Sequence, residues 1–214
     1  MSGHGERALG VDELSALLWP QGDRLDTPAV YAIVDAAQDP RMAGWLAATG
    51  LEQACLFAGN LSPALRAVSP HLVHLAPDVA FTRHLFASGW GRSWFILCIT
   101  PSDVTLAQLR RHCRTLLRVR DESDRKFLFR FYDPRVLRAY LPTCTQAELE
   151  LCFGPVDALA CESGGADALV MHERDADLPV LRVSALATIG ALRNGVPPQS
   201  ITMAARTSFA DREA

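Results

Sequence analysis

Two periodicities alternate along this chain. Short apolar runs bounded by Gly, Pro, Asp or Ser read as buried strands, and apolar residues recurring at steps of three and four read as helices. Ala29 to Asp35 (AVYAIVD) is the first run and carries β-branched and aromatic members. Asp39-Pro40 follows, a capping acceptor and then a residue that lacks only a donor unpaired at a helix start, so a helix is expected through about Ala48, stopped by Thr49-Gly50. Gln53 to Ala58 (QACLFA) reads as a second strand, and the strand–helix–strand unit favours parallel pairing. Ser62-Pro63 opens a short helix, His71 to Leu75 reads as a short edge strand, and Val79, Phe81, Leu85 and Phe86 place a helix over Asp78 to Ser88. Ser93 to Ile99 (SWFILCI), apolar at both alternations, is the best central strand.

The clearest helix is Asp103 to Arg120. Leu106, Leu109, Cys113, Leu116 and Leu117 make one apolar stripe, and Arg110, Arg114 and Arg118 step by four on another face. Phe127 to Tyr132 (FLFRFY) alternates like a strand, with Phe127, Phe129 and Phe131 on one side. Asp133-Pro134 caps a helix that Pro142 ends, and Thr145 with Glu148 forms a capping box for a further helix to about Cys152. Val156–Cys161, Ala168–His172 and Val180–Val183 read as strands, broken by Gly164-Gly165 and by a charged turn over Glu173 to Asp177. A last helix is expected over Ser184 to Asn194.

These elements add up to an α/β or α+β fold. A mixed β-sheet, built from the strands that start near Ala29, Gln53, Ser93 and Phe127, is flanked by helices. Residues 1–28 form a leader with a short helix over Asp12 to Leu18 and Trp19 docked on the body. Residues 29–162 form the main domain, 163–194 a smaller C-terminal lobe, and 195–214 a tail expected to be mobile.

Composition narrows the function classes. At 214 residues, 49% hydrophobic and 21% charged, the chain can bury a core and is not globally disordered. A net charge of −3 points to neither a nucleic-acid nor a membrane-surface protein. The opening MSGHGERALG lacks the basic and apolar regions of a signal peptide, and Trp94 to Ile99 falls far short of the ~20 apolar residues of a membrane span. Six scattered cysteines without a CxxC read as reduced core thiols.

Candidate chemistry is sparse. Arg130, in the middle of an apolar run, needs a carboxylate partner, and Asp35 at the end of the first strand is the expected one. Together with the cap at Asp133-Pro134 this reads as a structural motif more readily than as a catalytic site. From Asp103 to Arg138 ten basic residues stand against five acidic, leaving a negative excess of eight for the rest of the chain. Arg110, Arg114 and Arg118 are either a solvated helix face, a docking patch for a protein, or a phosphate grip. Trp90 is open between the core and a protein-binding anchor. No HExxH, GxSxG or GxxxxGK[ST] occurs, so no catalytic residue, metal or cofactor is expected.

A set of motifs carries a resemblance. YAIVDAA, CLFAG, GWGRSWFILCI, LAQLRRHCRTLLRV, FRFYDPRVLRAYLP and FGPVDALACE occur in that order between Val30 and about Glu162. In this set the chain resembles the effector-adaptor (effector-chaperone) domain family of the bacterial type VI secretion system, and FRFYDPRVL is the most specific element. The resemblance implies a non-catalytic, cytoplasmic adaptor. Its expected partners are a secreted toxic effector and the spike protein of the secretion machine, with no nucleic acid and no membrane. The alternatives are an enzyme of unknown reaction on an α/β scaffold, or a nucleic-acid-binding module using the Arg-rich helix over 103–120.

Overall fold

The computed structural model describes residues 7–20, 27–120, 123–174, 180–187 and 199–204. Its frame is an eight-stranded sheet of β1 (Ala29–Asp35), β2 (Gln53–Cys55), β3 (Pro70–His74), β4 (Phe95–Thr100), β7 (Ala158–Glu162), β8 (Ala168–Arg174), β9 (Val180–Ala187) and β10 (Gln199–Ala204). The strand order is β10-β9-β8-β7-β4-β1-β3-β2. A two-stranded hairpin, β5 (Arg118–Arg120) with β6 (Lys126–Leu128), stands apart from it. The helices are α1 (Val11–Leu18), α2 (Met42–Ala48), α3 (Pro63–Ala67), α4 (Ala80–Gly89), α5 (Leu106–Leu116), α6 (Pro134–Tyr140) and α7 (Gln146–Phe153). The protein is α+β.

Every strand pairing among the described residues is antiparallel. The parallel neighbour expected of the β1–α2–β2 unit is therefore not formed. Both strands do run in the same direction, because β3 is inserted between them and pairs antiparallel with each. His71 to Leu75, expected at an edge, is thus an interior strand, and the three-residue β2 takes the edge. Strand β4 lies centrally between β1 and β7, as its two-sided apolar sequence demands.

Alternation along β1 divides the core. Val30, Ala32 and Val34 join a cluster with Leu14 and Leu18 of α1, Met42 and Leu46 of α2, and Leu85 and Phe86 of α4. Tyr31 and Ile33 join the opposite cluster, with Leu109 and Cys113 of α5, Leu137 of α6, and Leu149 and Phe153 of α7. A period of two on the strand thus gives helices on both faces. Trp19 docks as expected, stacked on Phe86 with ring centroids 6.3 Å apart. All six cysteines are free, and five of them are buried.

Local signals mark most helix starts. Thr105 and Gln108 close a capping box on α5, Thr145 and Glu148 close one on α7, and the Asp133 carboxylate accepts from the Arg135 N–H at the start of α6. The expected Asp39-Pro40 cap does not open α2, which starts at Met42 behind Arg41 with no side-chain cap, and three further element expectations fail. The helix over Asp103 to Arg120 ends at Leu116, and Arg118 to Arg120 become β5. The run Phe127 to Tyr132 is strand only through Leu128, and that strand pairs with β5 instead of entering the main sheet. Phe127 is exposed, whereas Phe131 and Tyr132 are buried through an irregular turn. Third, residues 184–187 continue β9 where a helix was expected, and 188–194 lie outside the described residues.

The segment after Val156, expected as a smaller lobe, extends the same sheet outward from β4 as β7 to β10. Part of the supposed mobile tail is β10, paired with β9 from Gln199 to Ala204, while 195–198 and 205–214 lie outside the described residues. Residues 1–6 and 21–26 of the leader and most of the charged turn after Arg174 do so as well.

Candidate functional site: an arginine-lined groove

At the β2 end of the sheet, α5 runs beside the segment that follows β2. Between them lies an open groove of about 900 Å³. Leu56, Leu106 and Leu117 are buried residues in its lining, Leu65 of α3 stands on one side, and Leu128 of β6 contributes from the hairpin. Arg110, Arg111, Arg114 and Arg118 all reach it, and no acidic residue lines it among the described residues.

The apolar stripe of α5 explains this arrangement. Leu106, Leu109 and Cys113 face the sheet, so the arginines one or two positions away turn outward. Arg110 is half-buried, and its Nε donates to the Cys55 carbonyl at 2.9 Å, tying α5 to the edge strand. Arg111, Arg114 and Arg118 are exposed and form no ion pair with any described residue. Leu65 is 44% and Leu128 53% exposed, unusual for leucines that flank one groove. Phe127 and Val119 are exposed too, but they pair one residue out of step with Leu128 and so lie on the other face of the hairpin, outside the groove. Sequence reading found the arginine step but missed this apolar flank, because its members lie more than forty residues apart in the chain and meet only through the fold. An exposed leucine beside a capping serine at Ser62 was the one local signal.

The second arginine-rich region is closed. Arg130 Nη2 meets Asp35 Oδ2 at 2.5 Å, as the sequence led us to expect, though Arg130 stands in a turn and not within a strand. The Asp35 carboxylate also accepts from the Ala37 N–H at 3.2 Å and from Gln38 Nε2 at 2.8 Å. Asp133 receives Arg135 in a two-pronged contact, Nε at 2.9 Å and Nη2 at 2.7 Å. Burial pushes the Asp133 carboxyl upward, but the hydrogen bonds from the Arg135 side chain and backbone outweigh it and leave its pKa below the usual value. Pro134 is buried at the start of α6. The buried Asp35 and Asp133 carboxylates are thus met by donors from their own cluster, while the guanidinium groups of Arg130 and Arg135 remain partly in water.

Trp90 is not an exposed anchor. It is 8% exposed, and its indole Nε1 donates to the Ala166 carbonyl at 2.7 Å. Beside it the buried Glu162 carboxylate accepts from the Gly91 N–H at 2.5 Å and the Ser93 N–H at 3.0 Å, gripping the turn into β4. Burial raises the pKa of Glu162 in spite of these donors. No local pattern announces this clamp, since its halves are about seventy residues apart.

No curated protein and no solved structure matches this chain. One family model does, described as a domain of unknown function (DUF4123), and it covers residues 30–151, from the start of β1 into α7. Groove and closed cluster both fall inside that span, and of the clamp only Glu162 lies beyond it. More than half of the sequence is matched, and the chain belongs to the DUF4123 family.

Proposed function

We propose that this protein is a non-catalytic adaptor that binds a type VI secretion effector in the cytoplasm and helps load it onto the spike protein. The observation that carries the reading is the groove itself, in which exposed leucines stand beside arginines that form no ion pair with any described residue. Such a surface is unfavourable to leave in water and suits a protein partner that brings apolar side chains and carboxylates. Family membership is compatible with it, and the motif resemblance supplies the identity of the partners. Binding to the folded adaptor stabilises both proteins by mass action, and a specific complex buries about 1,600 Å² in all.

Co-expression of the tagged full chain with the proteins encoded beside it, followed by purification, tests the reading. A stoichiometric complex with a toxin or spike protein is the expected result. Purification of the chain alone, across all of those proteins and at low salt, would end the adaptor reading.

A further inference from the structure

We infer that the groove between α5, α3 and the β5–β6 hairpin seats an acidic amphipathic helix of the protein partner. The inference rests on the adaptor reading and specifies the chemistry of what is carried.

Charge is the first argument. Several arginines elsewhere find carboxylates of their own: Arg41 meets Asp39, Arg83 meets Asp12, Arg120 meets Asp124 and Arg135 meets Asp133. Arg66 and Arg92 are exposed without an ion pair to any described residue, but they stand singly and do not line this groove. In the groove four arginines converge with no acid among the lining residues, and three of them are exposed without an ion pair to any described residue. This happens in a chain whose net charge is −3, so the positive excess is local. An occupant that brings carboxylates supplies what the fold withholds.

Spacing is the second. Arg110 and Arg114 are one turn apart on α5, about 6 Å along the axis, and Arg118 follows past its end. Carboxylates at i and i+4 of a second helix repeat at that same interval. The third argument is the apolar lining, with Leu65 and Leu128 exposed and Leu56, Leu106 and Leu117 buried. A helix with one acidic stripe and one stripe of leucine or phenylalanine answers both requirements at once, which is the helix-in-groove mode of recognition.

Other occupants fit less well. An added strand would pair with β2, but that edge is three residues long and its Cys55 carbonyl already accepts from Arg110. Nucleic acid would use the arginines yet leave the apolar lining without a partner, and Thr115 is the one uncharged polar side chain there to position phosphate or bases.

The test uses the full chain against a displayed library of helical peptides of about 15 residues. One stripe is randomised among Glu, Gln and Lys, and the other among Leu, Phe and Ala. Enriched clones should carry Glu at i and i+4 beside Leu or Phe. Their affinity should fall at least about tenfold for Arg114→Glu/Arg118→Glu and for Leu65→Asp/Leu128→Asp, and should weaken with added salt. Arg114→Lys should retain most of the binding. All four positions are exposed, and circular dichroism verifies that each variant is folded; Arg114→Gln/Arg118→Gln replaces the reversal should that variant misfold.

The inference is overturned if nothing is enriched, if enriched stripes are Gln or Lys, or if charge reversal leaves binding unchanged. It is equally overturned if a DNA duplex binds the groove more tightly than the best peptide, or if sedimentation shows that Arg114 and Arg118 hold two copies of this chain together. A co-purifying effector whose retention ignores these substitutions would sink the groove and spare the adaptor reading. Loss of every effector complex would sink the adaptor reading itself.

Discussion

Two regions of this protein are rich in arginine, and they have opposite bookkeeping. Around Asp35 and Asp133 each guanidinium meets a carboxylate, and the carboxylates are 3% and 5% exposed. Along α5 the guanidinium groups outnumber any local acid, and the apolar residues beside them stay in water. Residue type is the same in both. The difference lies in whether the fold itself supplies the counter-charge. Where it does, arginine ties the fold together; where it does not, the proposed adaptor reading has a partner supply the counter-charge.

The largest way to break this comparison is Asp35→Ala. It removes the acceptor shared by Arg130, Ala37 and Gln38 at a buried site, and should cost about 3 kcal/mol in urea unfolding. Arg130→Ala should cost less, because the Arg130 side chain is 42% exposed and water can replace part of what it loses. A double-mutant cycle between the two should show clear coupling. If Asp35→Ala costs no more than a surface substitution, the closed cluster is not scaffold.

Acid gives the next test. His172 is buried, its Nδ1 donates to the Leu159 carbonyl at 3.3 Å, and burial lowers its pKa to about 4. A histidine kept neutral in the fold contributes stability that is complete above its unfolded pKa of about 6.5 and is lost as pH falls toward 4. The loss should be on the order of 2–3 kcal/mol. Asp133, whose pKa is lowered, contributes stability that is present above the ordinary carboxylate pKa and disappears only as pH falls further. Unfolding between pH 6.5 and 4 should therefore report His172 together with the half-buried His71 and His112, whose pKa values burial also lowers, and not the ion pairs. In His172→Gln the slope over that window should shrink to what His71 and His112 leave; an unchanged slope would mean that the fold does not hold His172 neutral.

The closed cluster was legible because its logic is short-range or stereotyped. Asp133-Pro134 announces a helix start, and an arginine among phenylalanines demands a carboxylate. The fold around it was legible in part. Strand β4 and the capping box at Thr145 follow from local chemistry, whereas the box at Thr105 went unread. The insertion of β3 between β1 and β2 does not, since antiparallel register is decided by partners far along the chain. The alternation over Phe127 to Phe131 misled for a related reason. It satisfies a strand pattern, yet only Lys126 to Leu128 find a partner, and the following aromatics are buried by a turn. Likewise, the helical stripe continues through Leu117, and no Gly or Pro marks its end before β5. The groove was half legible: the arginine step is a property of α5, but its leucine flank exists only once α3 and the hairpin are placed.

The smallest effect sharpens the comparison most, because Arg110 belongs to both regimes. It lines the groove, and it also donates to the Cys55 carbonyl. Arg110→Ala should cost about 1 kcal/mol of stability, the worth of one hydrogen bond to a charged donor at a half-exposed site. Arg114→Ala, one turn away and exposed, should change stability by no more than about 0.5 kcal/mol in either direction. Chemical denaturation resolves the two when the slopes are equal. Relief of repulsion among neighbouring arginines would even let Arg114→Ala stabilise the free chain slightly. An equal cost at both positions would mean that Arg114 has a counter-charge within the fold, and the distinction between a closed and an open arginine region would fail at the residue chosen to define it.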